Sequence, residues 1–196
     1  MQTPYVIKYP SFVNTNNIKS NGANGYRFLL SIPFNNISIN KKELIVILKN
    51  PSSANLLFCD TTILRVCNVA HNNGYSGVKI LNLFPYRATY AKDVQNFYKD
   101  LNYNQIMNVN LNIIITTCLN KDVVFAWGTD TIGGRKQYPN YYDSAIHSIT
   151  SNITSNTYYV KRCSCKNKSC TNPVHNLIRY PLHGLRWENN SILNPY

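Results

Sequence analysis

Leu44-Ile45-Val46-Ile47-Leu48-Lys49-Asn50-Pro51-Ser52-Ser53 is the stretch on which the fold turns. Five consecutive apolar residues run without alternation, which suits a strand buried on both faces, as in a parallel sheet. The run then stops at Asn-Pro-Ser. Proline presets φ, and Asn and Ser bond their own backbone, so a plain turn accounts for these residues. A second reading opens if the sheet is parallel, because ligands bind such sheets beyond the carboxyl ends of the strands. The carboxamide of Asn50 would then project where a water or a substrate amide sits. It can orient a water but not deprotonate it strongly.

The flanking sequence supports a parallel sheet. Tyr26–Phe34 reads as a strand and Glu43–Lys49 as the next. After Asp60 the period changes, with Ile63, Val66, Cys67 and Ala70 at helical spacing, Asp60 or Thr61 able to cap the start and Gly74 able to end it. Gly77–Phe84 is a further apolar strand, and Thr89–Leu101 looks helical. The stretch from Asn104 to Leu119 fits a helix or an Ile/Thr-rich strand; the strand Asp122–Gly128 follows at once, which favours the helix. Tyr141–Ile153 suits another helix and Thr157–Cys163 a last strand. This alternation predicts a three-layer α/β/α sandwich around a mostly parallel sheet of four to five strands. Residues 1–25 read as a loop-rich, Asn-rich arm, and 26–196 as a single α/β domain with a Cys-rich loop insertion at 162–175.

The totals bound the partners. A chain of 196 residues can bury roughly 70% of its unfolded surface without staples. No apolar run reaches the roughly 18 residues of a membrane span, and the N-terminus carries no secretory pattern. The expectation is therefore an intracellular, cytoplasmic protein with no membrane partner. Twenty Lys+Arg against eight Asp+Glu give a net charge of +12 and a pI near 9.5. Such a surplus suits an anionic partner, nucleic acid first. The wealth of Asn, Lys, Ile and Tyr equally fits the drift of an AT-rich coding sequence.

The strand ends supply the candidate residues. Asn50 and Ser52 follow one strand. Asp60 opens a helix, as its cap or as a base near Asn50, and Arg65 lies one turn on. Tyr86 and Arg87 follow Gly77–Phe84. A ring beside a guanidinium suits base stacking and phosphate pairing, and an arginine lying over the sheet edge is the plainer account. Trp127 is plain core or a stacking platform, and Gly128 lets the backbone turn tightly. Arg135 sits in the basic Gly133-Gly134-Arg135-Lys136 loop, which lacks P-loop spacing. His183 comes after the last strand, on the same predicted rim as Asn50. Cys59, Cys67 and Cys118 read as small buried hydrophobes. Cys163, Cys165, Cys170 and His175 form a Cys-x-Cys-x4-Cys-x4-His array. They are the candidate ligands of a structural zinc or else free surface thiols.

Taken together, "NPSSAN", "DTTILR", "NNGYSGVKILNLFPYRAT", "VVFAWG" and "PLHGL" resemble the ordered motifs of a bacterial, phage and plasmid family known as domain of unknown function 1643. The resemblance covers about residues 26–187 and brings no established activity. More distantly, the arrangement is similar to the uracil-DNA glycosylase superfamily. There a Gly-x-Asn-Pro motif ends the first core strand and its Asn positions the attacking water. Leu48-Lys49-Asn50-Pro51 stands in that place, with Leu48 for Gly. Trp127-Gly128 and His183-Gly184-Leu185 resemble two further elements, with Gly184 for the usual Pro and the Cys-rich loop just before the His.

The resemblance implies a nucleic-acid or nucleotide base-processing protein, with hydrolysis of an N-glycosidic bond as the candidate reaction. Asn50 would hold the water and His183 would hydrogen-bond the departing base, with Asp60 the candidate if a carboxylate is needed. Ser52, Arg65, Tyr86, Arg87, Trp127, Gly128 and Arg135 would hold the substrate, DNA ahead of RNA. No cofactor is required for the chemistry, and zinc is structural if present. The alternatives are a non-catalytic nucleic-acid-binding or interaction protein on the same scaffold, and an enzyme acting on a free nucleotide.

Overall fold

The computed structural model describes residues 7–35, 42–51, 53–88, 94–128, 131–132, 135–136, 139–160, 181, 183–189 and 191–195. Along the chain these form β1 (Ile7–Lys8), β2 (Lys19–Asn21), β3 (Leu29–Pro33), β4 (Leu44–Leu48), β5 (Phe58–Cys59) and α1 (Thr61–Asn72). There follow β6 (Gly77–Asn82), α2 (Val94–Phe97), α3 (Tyr103–Cys118), β7 (Asp122–Phe125), β8 (Thr131–Ile132), β9 (Arg135–Lys136), α4 (Pro139–Thr150), β10 (Thr157–Val160) and β11 (Leu193–Pro195).

The main sheet has seven strands in the order β11-β10-β7-β4-β6-β3-β2. The expectation of four or five mostly parallel strands is corrected: the sheet is mixed. Its four central strands, β10, β7, β4 and β6, are parallel. Antiparallel ladders then add β3 and β2 on one side and β11 on the other. β3 falls within the expected strand Tyr26–Phe34, whereas β2 (Lys19-Ser20-Asn21) and β11 (Leu193-Asn194-Pro195) are short and carry no apolar run to betray them. The described part of the N-terminal segment belongs to the body of the protein, with Tyr9, Val13 and Ile18 buried. No described helix is long and apolar enough to cross a membrane.

All five residues of β4 are buried, and they divide between two cores. Leu44, Val46 and Leu48 face one with Ile63, Val66, Cys67, Val69 and Ala70 of α1. Ile45 and Ile47 face the other with Ile114 of α3 and Tyr142, Ala145, Ile146 and Ile149 of α4. Helices therefore cover both faces of the central strands, which is why β4 has no polar position. Cys59, Cys67 and Cys118 are buried free thiols.

The connections decide where a ligand can enter. Numbered by chain order, the parallel strands lie second, first, third, fourth across the sheet (β6, β4, β7, β10). α1 leaves the end of β4 over one face, and α4 leaves the end of β7 over the other. The chain thus diverges between β4 and β7, and it is at such a reversal, beyond the carboxyl ends, that open α/β sheets take their ligands in a crevice.

Candidate functional site

The end of β4 is knitted to its neighbours by backbone bonds. Leu83 N donates to Leu48 O, Phe84 N to Lys49 O and Ala126 N to Ile47 O, at 2.7 to 2.9 Å. Asn50 follows, half-buried. Its Nδ2 donates to Ala88 O at 2.8 Å and to Pro51 O at 3.1 Å. Two carbonyl acceptors fix the orientation of the amide, because Oδ1 cannot face either of them. Oδ1 is thereby turned into an acceptor for something other than these backbone groups. The Asn-Pro turn and the functional reading are therefore compatible: the turn is what holds the carboxamide.

Beyond the end of β7, Gly128 turns the chain with φ +73. A Cβ on Gly128 would lie 3.0 Å from the Cβ of His183, so only glycine lets the histidine pack this closely. Nδ1 of His183 accepts from Leu185 N at 3.1 Å, which places the ring proton on Nε2. Burial first, and Lys49 second, push its pKa down to about 4, partly offset by Asp60. His183 is thus a neutral imidazole at pH 7 with an Nε2–H to donate. The residue after it, Gly184, lies flush on the α1 side. A Cβ there would meet Leu48 Cδ2 and Val66 Cγ2 at 3.1 Å and Thr62 Cγ2 at 3.4 Å.

Asp60 is the N-cap of α1: its Oδ1 accepts from Ile63 N at 2.9 Å. Its charge nevertheless reaches His183. Arg65, one turn along α1, donates to Leu185 O and so ties the His183 segment to the helix. Tyr86 stacks face-on over Phe97, with centroids 5.6 Å apart and planes 4° apart, and meets Tyr26 edge-on. Arg87 is exposed and donates from Nη2 to Ala54 O at 3.0 Å. Trp127 is fully buried on the α3–α4 side, stacked on Phe125 at 4.6 Å, which places its ring away from any surface ligand. The Arg135 backbone pairs with Ile132 in the β8–β9 hairpin. Ser52, Cys163, Cys165, Cys170 and His175 lie outside the described residues. His183 thus packs on Gly128 and feels the charges of Lys49 and Asp60, Asn50 follows Lys49 at the end of β4, and Arg65 ties the His183 segment to α1.

Two residues were not among the sequence candidates. Arg27 is 2% exposed and donates from Nη1 to Ala54 O, the same oxygen that Arg87 uses. Its Nε has no partner. Burial first and Arg87 next push its pKa down to about 10, which leaves it charged at neutral pH. Asn82 ends β6 opposite Leu48, fully buried, with neither amide atom hydrogen-bonded. Such a group costs about 1–3 kcal/mol. A charge inside "YRFLL" and an amide inside "ILNLF" were the available signals, since polar residues interrupting buried strands need a reason.

A cavity of about 160 Å³ lies elsewhere, between α3 and α4, lined by Tyr103, Met107, Asn110, Ile114, Ala145 and Ile149 among others. It shares no residue with the crevice and brings no carboxylate, histidine or cation. The polar candidates lie instead at the strand ends around the switch point.

These features define a mixed α/β protein with a polar crevice where its parallel strands diverge. A family model described as "Protein of unknown function (DUF1643)" matches residues 27–177, and the chain belongs to that family. The matched span holds Arg27, Asn50, Asp60, Asn82, Arg87 and Gly128, and ends before His183. Comparison with curated proteins and with solved structures gives no match.

Proposed function

We propose that the protein processes a nucleic-acid or nucleotide base by hydrolysing an N-glycosidic bond at the β4–β7 crevice. The observation that carries this reading is the clamped carboxamide of Asn50, whose Nδ2 is held by two backbone carbonyls so that Oδ1 does not face them. A carboxamide oxygen accepts one hydrogen of a water and aims its lone pair without removing its proton. Such a water suits a reaction in which the base departs first, taking the bonding electrons, and water then adds to the sugar carbon, its released proton ending on the departed base anion. The departing base gathers negative charge, and a neutral imidazole with a free Nε2–H stabilises it by hydrogen bonding. His183 has that protonation state at pH 7. Asp60 serves as cap and as a nearby negative charge, and the base stacks on Tyr86.

The similarity to the uracil-DNA glycosylase superfamily supports this reading, and its two departures belong together. Leu48 stands where that pattern has Gly, Gly184 stands where it has Pro, and the two residues touch. One bulky residue and one small residue have exchanged sides of a single contact.

The test is base release from a panel of modified-base oligonucleotides and free nucleotides. Asn50→Ala is expected to lower release by at least about 100-fold while substrate binding survives. Unchanged release in that variant overturns the assignment. The charge of +12 favours one other reading, a non-catalytic nucleic-acid binder on this scaffold. That reading predicts affinity with a steep salt dependence and no released base from the wild type.

A further inference from the structure

We propose that Arg27 and Arg87 form a phosphate-binding subsite beside Asn50, seating one phosphoryl group of a free nucleotide or of a nucleic-acid strand. Both guanidiniums donate to a single neutral oxygen, Ala54 O. Neither forms an ion pair with a described carboxylate. Two like charges brought to one point repel; Asp60 offsets the charge of Arg27 in part without pairing with it, and a carbonyl dipole cannot neutralise the rest. A phosphate can, and the planar fork of Arg matches its oxygens two at a time. Arg27 is almost fully buried yet gives one hydrogen bond, and its Nε is unpartnered. Holding Ala54 in place would need one neutral donor rather than two cations.

The pair is also preorganised. Arg27 N donates to Pro85 O and Arg87 N to Gly25 O, both at 2.8 Å, around an antiparallel bridge between Tyr26 and Tyr86. This bridge fixes the two arginines before any ligand arrives, which lowers the cost of binding. Ala88, next to Arg87, carries the carbonyl that holds Asn50. The subsite therefore adjoins the end of the crevice assigned to the base. The inference rests on the reading above in supplying the other end of the same substrate.

Titration calorimetry tests it with four probes: inorganic phosphate, deoxyuridine and deoxyadenosine 5′-monophosphates, the matching nucleosides, and a single-stranded oligodeoxynucleotide. Phosphorylated probes are expected to bind about 10- to 100-fold more tightly than the nucleosides. Arg87→Ala should bring the two within about twofold. Arg27→Lys, which keeps the charge but loses the fork, should cut the preference about tenfold. Tighter binding of the oligonucleotide than of the mononucleotides identifies a strand as the source of the phosphate, and the reverse order a free nucleotide. The proposal is overturned if the wild type shows no preference for phosphate. It is equally overturned if Arg87→Ala keeps the preference and only lowers the melting temperature, the mark of a loop clamp. Because the readout is binding, Asn50→Ala should retain the preference, so loss of base release and loss of the subsite are separate results.

Discussion

On the α3–α4 side of the sheet, Phe84, Phe97, Tyr98, Phe125, Trp127 and Tyr142 pack largely ring against ring. On the α1 side the buried set is mostly aliphatic and Cys, and it borders Arg27, Asp60, the His183 segment and Gly184. The same strands serve both, since β4 alternates between them. Large rings on one face leave few alternative packings. They hold the strand ends still while the other face carries charges, amides and close glycine contacts that would not form a core by themselves. Tyr142 joins the two: its hydroxyl donates to Gly128 O at 2.8 Å and Trp127 O at 3.2 Å, so the aromatic side fixes the backbone on which His183 rests.

The comparison can be broken by substitutions on either face. Ile47→Ala, which empties a fully buried position facing the ring-rich core, should cost about 2–5 kcal/mol of stability by chemical denaturation. The surviving folded protein should bind ligand normally. Gly128→Ala should cost less stability, about 1–2 kcal/mol for its left-handed backbone. It should nevertheless abolish base release, because the new methyl meets His183. If Ile47→Ala lowered base release by folded protein as much as Gly128→Ala, the two faces would not divide the work.

The smallest effect is a pH dependence. Above pH 6.5, the ordinary value for histidine, His183 is neutral folded and unfolded, and contributes nothing. Between 6.5 and about 4 the unfolded chain takes up a proton that the folded chain refuses, so stability falls as pH falls. Below about 4 that loss is complete. The melting temperature of the wild type should drop through this window more steeply than that of His183→Gln.

The sequence exposed whatever repeats or runs. The unbroken Leu44–Leu48 stretch announced a central strand, and Asp60 with Ile63, Val66 and Ala70 announced a capped helix, because both signals are local. Asn50, Asp60, Gly128 and His183 were legible as strand-end and loop residues once a parallel core was assumed. The edge strands were not, since Lys19-Ser20-Asn21 owes its pairing to β3 and not to its own pattern. Arg27 escaped for a related reason. Its burial depends on Ala54 and Arg87, residues 27 and 60 positions away, which no window of sequence joins.

The contact between Leu48 and Gly184 bears on how this protein could have changed over time. A Cβ at 184 crowds Leu48, and a glycine at 48 would leave Gly184 facing a gap. Residues that share a contact do not change independently, so the cost of a substitution at one should depend on what stands at the other. Positions 48 and 184 are therefore one site in packing terms, although 136 residues of chain separate them.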